Sequence, residues 1–582
     1  MRRLAYLLGS LALLASWSLL SAAPAGAVEY VVNTTADISD GTPDGVCDDG
    51  SGNCSLREAI QEANFNGGPD SIVFADCGSA ECVYLLTLGG IDEDGAETGD
   101  LDINDDLVLT GNGRAVTIVD GDNLDRVFDL DPGQLGVAIT LNSLTVRHGN
   151  AQLGIFFNTG GGILASGSTD SAFVLNDLLI TQNVSIVDGG GLSMFLGTLT
   201  INDSTISDNE AQGGNGGGGL FFGNGENLQV NRCIVEGNRA GRGGGIVNLS
   251  ELTINDSTIR NNEATDFEDL GHDGGGILAF NHVTINNSTI SGNSTIEDGG
   301  GIVTTSTATI TNSTISGNTA QGNGGGVEPS QNEVSFTNVT ISGNSAGGQG
   351  GGIFIGPPPT PQPGIKFGFS PPTVNLLHLT IADNQAAEGG GIFNGGPAAF
   401  VNFRNSIIAD NGSGNCAGEG TSLGGNVSDD ATCNLSGQGD RPDADPALGA
   451  LADNGGPTQT QDLLVGSQAV DAGIDCPPPA QDQRGIARPQ GLACDAGAVE
   501  VACGDGSVNG DEECDDGNNL DSDGCSALCI IETQQDFLLN GTGCALQAQA
   551  KPDFRAGAWL LLASVLGLFF RWKKRPSASP GL

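Results

Sequence analysis

Thr200-Ile201-Asn202-Asp203-Ser204-Thr205-Ile206-Ser207-Asp208-Asn209 decides the fold, because the chain repeats it. Close copies run from Thr253 to Asn262, Thr284 to Asn293 and Thr309 to Asn318, and looser ones end at Asn183, Asn238, Asn344, Asn384 and Asn411. Between copies stands a triple-glycine block followed by an aliphatic residue, at Ile163, Leu192, Leu220, Ile246, Ile277, Ile302, Val327, Ile353 and Ile392. The steps between blocks are 25 to 39 residues, and internal repeats of this length mean a solenoid. The copies hold short β-branched runs and no helical period, so each is expected to form one turn of a parallel β-helix. One turn cannot bury its apolar face alone. Turns stacked about 4.8 Å apart do so by setting like on like.

Ile201, Ile254, Ile285 and Ile310 are expected to form one internal column, and Ile206, Ile259, Ile290, Ile315 and Ile341 another. Asn209, Asn262, Asn293, Asn318 and Asn344 are expected to form a hydrogen-bonded ladder at a bend, as stacked amides do in cross-β structures. The longest step contains Gly356-Pro357-Pro358-Pro359-Thr360-Pro361-Gln362-Pro363, which reads as a projecting loop because proline cannot feed a strand ladder.

Composition narrows the function. Of 582 residues 94 are glycine, without a G-X-Y period, and 38% hydrophobic with 16% charged is not the profile of a disordered polyelectrolyte. Lysine and arginine number 21 against 70 acids, a net charge of −49. Nucleic acid is excluded as a partner, since phosphate binding needs a basic footprint. Divalent cations and an extracellular milieu suit such a surface.

Both ends carry targeting signals. Met1-Arg2-Arg3, an apolar run from Leu4 to Leu20 and Ala25-Gly26-Ala27 before Val28 form a secretory signal peptide with Ala27 at the cleavage site. Near the other end, Ala556 to Phe570 is apolar but shorter than the ~20 residues of a bilayer span. Trp559 and Trp572 flank it, and Arg571, Lys573, Lys574 and Arg575 would stay on the cytoplasmic side. Fourteen cysteines behind a signal peptide imply disulfides. Local spacing pairs Cys47 with Cys54, Cys77 with Cys82, Cys416 with Cys433 and Cys476 with Cys494. Cys503, Cys514, Cys525 and Cys529 make two more bonds of open connectivity, leaving Cys233 and Cys544. No pair of C-x-x-C motifs offers a zinc site.

A solenoid also needs caps. In Cys54-Ser55-Leu56-Arg57-Glu58-Ala59, Ser55 and Glu58 make a capping box, and Leu56, Ala59, Ile60 and Ala63 share the apolar face of the helix that follows. The string resembles the Cys-Ser-Leu-Arg-Glu-Ala motif at the front of bacterial secreted β-helix proteins, and the repeats resemble those of polymorphic outer-membrane proteins. Together these cover roughly residues 28–425, and they imply a right-handed, pectin-lyase-like parallel β-helix. The chain departs from the second family in lacking an autotransporter barrel.

Ala469-Val470-Asp471-Ala472-Gly473, Asp482-Gln483-Arg484-Gly485-Ile486-Ala487-Arg488-Pro489 and Cys494 to Glu500 resemble a choice-of-anchor Q domain. There Arg484 and Arg488 are expected to bond carbonyls and carboxylates. Cys503 to Cys529 resembles a Cys-rich repeat of myxobacterial surface proteins, whose Asp515, Asp516, Asp521 and Asp523 are candidate oxygen ligands for calcium. Cys544 with the apolar stretch and basic tail resembles a Gram-negative C-terminal sorting signal. That implies removal of the tail by a processing protease and transfer to the cell surface or outer membrane. The expected organisation is therefore a signal peptide (1–27), an N-terminal cap with the first turns (28–140) and the repetitive β-helix (141–425). A C-terminal cap (426–501), a Cys-rich module (502–530), a linker holding Cys544 (531–555) and a membrane-binding tail (556–582) follow.

Acids precede the triple glycine at Asp188, Asp273, Asp298 and Glu388. Asp273 and Asp298, on successive turns, form a candidate calcium pair. Candidate bases are scattered: Arg147, Arg232, Arg239, Arg242, Arg260, Arg404 and Lys366, with His148, His272, His282 and His378. No catalytic residue is singled out, and a fold by itself does not specify activity. The function expected is that of an exported, surface-anchored protein, adhesive or structural, meeting a glycan or another cell. The alternative is a polysaccharide lyase or hydrolase, or a carbohydrate-binding protein. If Cys544 marks the sorting site, Cys544→Ala leaves the full-length chain in the inner membrane, as read by protease shaving of intact cells. Equal surface display of the variant removes the sorting reading.

Overall fold

Each repeat bends because particular residues accept backbone angles that others refuse. In one turn, the strands Ile277–Ala279, Val283–Asn286, Thr289–Ser291 and Ser294–Thr295 follow one another. Asn287 makes the kink between the second and third strands at φ 49°, a left-handed angle that asparagine tolerates. Gly292, at φ 63°, starts the next bend. In the triple glycine, Gly274 also needs a positive φ, 60°. Gly276 is needed for space, since a Cβ there would meet the carbonyl oxygen of Gly301 at 2.6 Å. The block is thus a stack of glycine on glycine.

The computed structural model describes residues 26–502, except 92, 132, 134, 152–157, 214–215, 266–272, 358–370 and 397–398, together with Val508, Glu513, Cys514, Cys525 and Ile531. Its strands join, turn upon turn, in parallel sheets of 24, 12 and 8 members, the largest taking in both sides of the kink. The architecture is a right-handed parallel β-helix with, among the described residues, one helix at its N-terminal end. Among the described residues no helix is long and apolar enough to cross a membrane, and segment 556–570 lies outside them.

The internal columns are longer than the closest repeats alone indicate. Ile201 pairs with Val230 and Val230 with Ile254, so a turn with valine stands within the first column, which continues through Ile285 and Ile310 to Phe336 and Leu376. The second column likewise takes in Val235 between Ile206 and Ile259. A third runs through the aliphatic residues after the glycines and starts earlier, at Leu101 and Phe128, before any glycine block.

The asparagine ladder includes the looser copies. Asn262 Oδ1 accepts the backbone N–H and the Nδ2 of Asn238, both at 3.0 Å. Its Nδ2 donates to the Val235 carbonyl and to Asn293 Oδ1, both at 2.9 Å. The same exchange links Asn183, Asn209 and Asn238, and continues from Asn293 through Asn318, Asn344 and Asn384 to Asn411. A second, half-buried amide column, Asn142–Asn176–Asn202–Asn231–Asn255–Asn286, runs on the outer face with each Nδ2 donating toward the preceding turn. A serine column lies between them, in which the Oγ of Ser257, Ser288 and Ser313 accepts the backbone N–H of the residue one turn before. The free, buried Cys233 occupies this column.

The N-terminal helix, Leu56–Asn66, has the capping box of Ser55 and Glu58, and buries Leu56, Ala59, Ile60 and Ala63 in the solenoid core. Disulfides join Cys47 to Cys54 and Cys77 to Cys82 nearby, and Cys416 to Cys433 and Cys476 to Cys494 at the far end. In the C-terminal module Cys514 bonds Cys525, while Cys503 and Cys529 lie outside the described residues.

The last paired strand is Val427–Ser428. Further on, the chain returns along the flank of the final turns. Gln483 Nε2 donates to Thr314 Oγ1 at 2.9 Å, Thr340 Oγ1 donates to Gln483 Oε1 at 2.8 Å, and Ala498 N donates to Thr380 Oγ1 at 3.0 Å. Thr314, Thr340 and Thr380 are one register column.

Asn262→Asp removes both Nδ2 donations and sets a charge at a fully buried position, which costs about 3–5 kcal/mol. The variant is expected to unfold at a lower urea concentration at pH 7, with its neighbouring turns opened to protease. Asn286→Asp, in the half-buried outer column, is expected to lose much less. Equal losses at both sites would deny the inner column its special place.

Candidate functional site

Three buried acids meet near the N-terminal end of the solenoid. The strands Leu101–Ile103 and Phe128–Leu130 are register neighbours, with Asp102 opposite Asp129 as their middle residues. Carboxylate oxygens of Asp100, Asp102 and Asp129 lie within 4.8 Å of one another, and all three residues are buried. Arg126 enters the group, its Nε 2.8 Å from Asp100 and its Nη1 3.5 Å from Asp129. Ser166 Oγ donates to Asp129, and the backbone N–H of Ala96 donates to Asp102 Oδ2. Asp102 Oδ1 is shut off from solvent and receives no hydrogen bond.

Two unit charges one strand spacing apart repel by about 3.5 kcal/mol at an effective dielectric of about 20. Burial, followed by the facing charges of Asp100 and Asp129, accordingly pushes the Asp102 carboxyl up to about 10. Burial pushes Asp129 up to about 7, with Arg126 pulling the other way, and holds Asp100 well above the ordinary carboxylate range despite Arg126.

The cap helix organises the loop that carries these acids. Arg57 Nη1 donates to the carbonyls of Ala96 and Asp100, its Nη2 donates to that of Gly99, and its Nε bonds Asp37 at 2.7 Å. The arginine of the Cys-Ser-Leu-Arg-Glu-Ala string is therefore a buried clamp between helix and first turn. Sequence reasoning passed over the acid cluster because repeats were counted from glycine blocks, which these two turns lack. The available signal is the paired string Leu101-Asp102-Ile103 and Phe128-Asp129-Leu130, an acid between apolar residues at the same place in successive turns.

Of the candidate calcium pair, Asp273 is buried with Arg242 Nε 3.3 Å away, and Asp298 is half-buried and accepts the backbone N–H of Asn323. Asp188, earlier in that series, is buried, which pushes its carboxyl up to about 7. Asp515, Asp516, Asp521, Asp523 and Cys544 lie outside the described residues, as do His272 and Lys366. The exposed bases form ion pairs between turns: Arg232 with Asp203 at 2.7 Å, Arg260 with Glu236 at 2.7 Å, and Arg239 with Glu263 at 3.3 Å. Arg404 reaches Asp475 at 3.2 Å, and both nitrogens of His282 face threonine hydroxyls.

Asp120 accepts from Arg147 Nε at 2.7 Å and lies 3.0 Å from His148 Nδ1. Burial alone would raise the Asp120 carboxyl, but Arg147 and His148 hold it below its usual range. Asp482 accepts the backbone N–H groups of Arg484 and Ile486, and Arg488 bonds Glu500 at 2.9 Å and the carbonyls of Asp495 and Gly497. A polar cleft of about 350 Å³ spans the corners of three turns, lined by Asn224, Glu226, Asn227, Glu251 and Asn281 among others.

This architecture defines a class. The right handed beta helix region family matches residues 136–357, and a domain of unknown function, DUF4215, matches residues 491–530. Among solved structures, the chain is similar to a crystal structure of pectate lyase Pel9A, with 13% identity over 82% of this chain and 97% of that one, and a TM-score of 0.33. No curated protein matches it.

One buried histidine is expected to make the C-terminal flank acid-sensitive. His378 occupies the kink position at φ 55° and is 0% exposed. Burial, then the charges of Arg488 and Arg404, lower its pKa to about 3. It folds neutral, so its contribution is intact above the unfolded value of about 6.5 and is lost progressively as pH falls toward 3. At pH 4.5 this loss amounts to about 2–3 kcal/mol. His378→Asn, the residue type at Asn338 and Asn405, is expected to narrow the gap between urea midpoints at pH 7 and pH 4.5. An unchanged gap would clear His378 of the acid response.

Proposed function

We propose that the protein is an exported, surface-anchored β-helix with an adhesive or structural role, presenting its stacked turns to a glycan or another cell. The observation that carries this reading is how the solenoid uses its exposed charges. Arg232, Arg260 and Arg239 each bridge to an acid of a neighbouring turn, alongside the outer asparagine column. Side chains spent in this way stiffen a rod along its length. Disulfides at both ends suit an oxidising compartment. Export is also supported at Val28, whose N–H donates to Asp70 Oδ1 at 2.7 Å, while the buried Asp70 Oδ2 has no donor. Cleavage after Ala27 would turn that amide into an ammonium facing the carboxylate. Surface transfer after C-terminal processing and calcium binding by the Cys-rich module belong to the same reading.

A second reading, carbohydrate binding or cleavage, is favoured by two features. The cleft at Asn224, Glu226 and Glu251 offers amides and carboxylates of the kind that bond sugar hydroxyls, and Asp120 with Arg147 places acid and base side by side. The two readings separate on a panel of plant and microbial polysaccharides. The expected outcome is retention of cells or glycans on the immobilised protein without release of unsaturated or reducing ends. Release that disappears in Glu251→Gln or Asp120→Asn would move the function to the second reading.

A further inference from the structure

We propose that Asp100, Asp102 and Asp129 form a calcium site that locks the first two turns of the solenoid to its N-terminal cap. This inference stands apart from the adhesive reading and rests on the placement of charge. Asp102 and Asp129 are the middle residues of paired strands. In the next six turns the same register position holds Leu164, Ser193, Phe221, Val247, Leu278 and Val303, none of them charged. The column's next acid is the buried Glu328, which follows Val303, so acid faces acid on successive turns at the start of the column. Packing does not require them, since leucine and valine fill the position elsewhere.

The charge count points to the ligand. Three carboxylates converge within 4.8 Å, and one guanidinium, Arg126, faces them. With the buried Asp125 alongside, acids outnumber the single guanidinium, an excess that a divalent cation would reduce. Asp125 is buried alongside and accepts the backbone N–H of Arg126, so the surroundings add negative rather than positive charge. Asp102 is 1% exposed, and its Oδ1, with no donor, is left for a partner that is not a protein hydrogen bond. The carboxylate ligands are oxygens, the donors of a hard cation, and calcium tolerates irregular sites where magnesium demands a near-ideal octahedron. The loop bearing Asp100 is the one that Arg57 holds by its carbonyls. Calcium there would tie the cap helix, the loop and two turns into one unit.

The alternative to a cation is a bound proton, and the two differ in a measurable way. The purified full chain, stripped with chelator, is titrated with calcium alone by calorimetry and melted with calcium and with chelator. The wild type is expected to bind calcium and to melt several degrees higher with it, with a smaller effect from magnesium at equal concentration. Asp102→Asn is expected to lose that increment. Asp129→Asn repeats the test should Asp102→Asn fail to fold. A wild type indifferent to calcium and chelator overturns the proposal. So does a calcium increment that survives unchanged in both variants.

Discussion

The rest of the structure depends on the amide-to-amide exchange of the inner asparagine column. Between the two ends of the column each of these side chains is buried where a lone polar group would cost several kcal/mol, and Asn262 shows how each is satisfied, by two donations and two acceptances along the stack. Only an asparagine of the next turn, in register, supplies a donor and an acceptor at that spacing. An aspartate lacks the donor, and a glutamine places the amide one carbon too far out. A register slip of one residue would strand every amide at once and turn the isoleucine columns outward. The column therefore fixes registry, and the apolar columns supply the burial that registry makes possible.

The same logic explains how polar residues are distributed. Where a position repeats through many turns, its side chains are of a kind that stacks on itself: amide on amide, hydroxyl on backbone, aliphatic on aliphatic. Charge does not stack on itself, and on the outside it appears as alternating arginine and acid on neighbouring turns. Asp102 and Asp129 break this rule by placing buried acid on buried acid, one turn from the cap. His378 departs from its column of kink residues in another way, standing buried under the return segment that binds Thr314, Thr340 and Thr380. The departures fall where the repeat meets something that is not a repeat.

Much of this was legible in the chain. The decapeptide, its glycine block and its spacing determine a stacked parallel β-helix, because a turn of that composition has no other way to bury its isoleucines and pair its strands. Ser55 and Glu58 determine the start of the cap helix by local hydrogen bonds alone. The looser copies, with Val230 and Val235 in place of isoleucine, join the same columns because the stack asks for an aliphatic residue rather than a particular one.

Other features exist only in the folded molecule. Arg57 reads as a solvated helix residue, yet three carbonyls some forty residues away make it a buried clamp. Asp102 and Asp129 are 27 positions apart, and nothing local says that both lie under one loop. His378 stands in an ordinary repeat, and its burial is decided by a segment about a hundred residues further on. Local pattern sets which residues repeat, and so determines the solenoid. Burial of a charge depends on what other segments lay over it, and that is settled only when the ends fold back onto the stack.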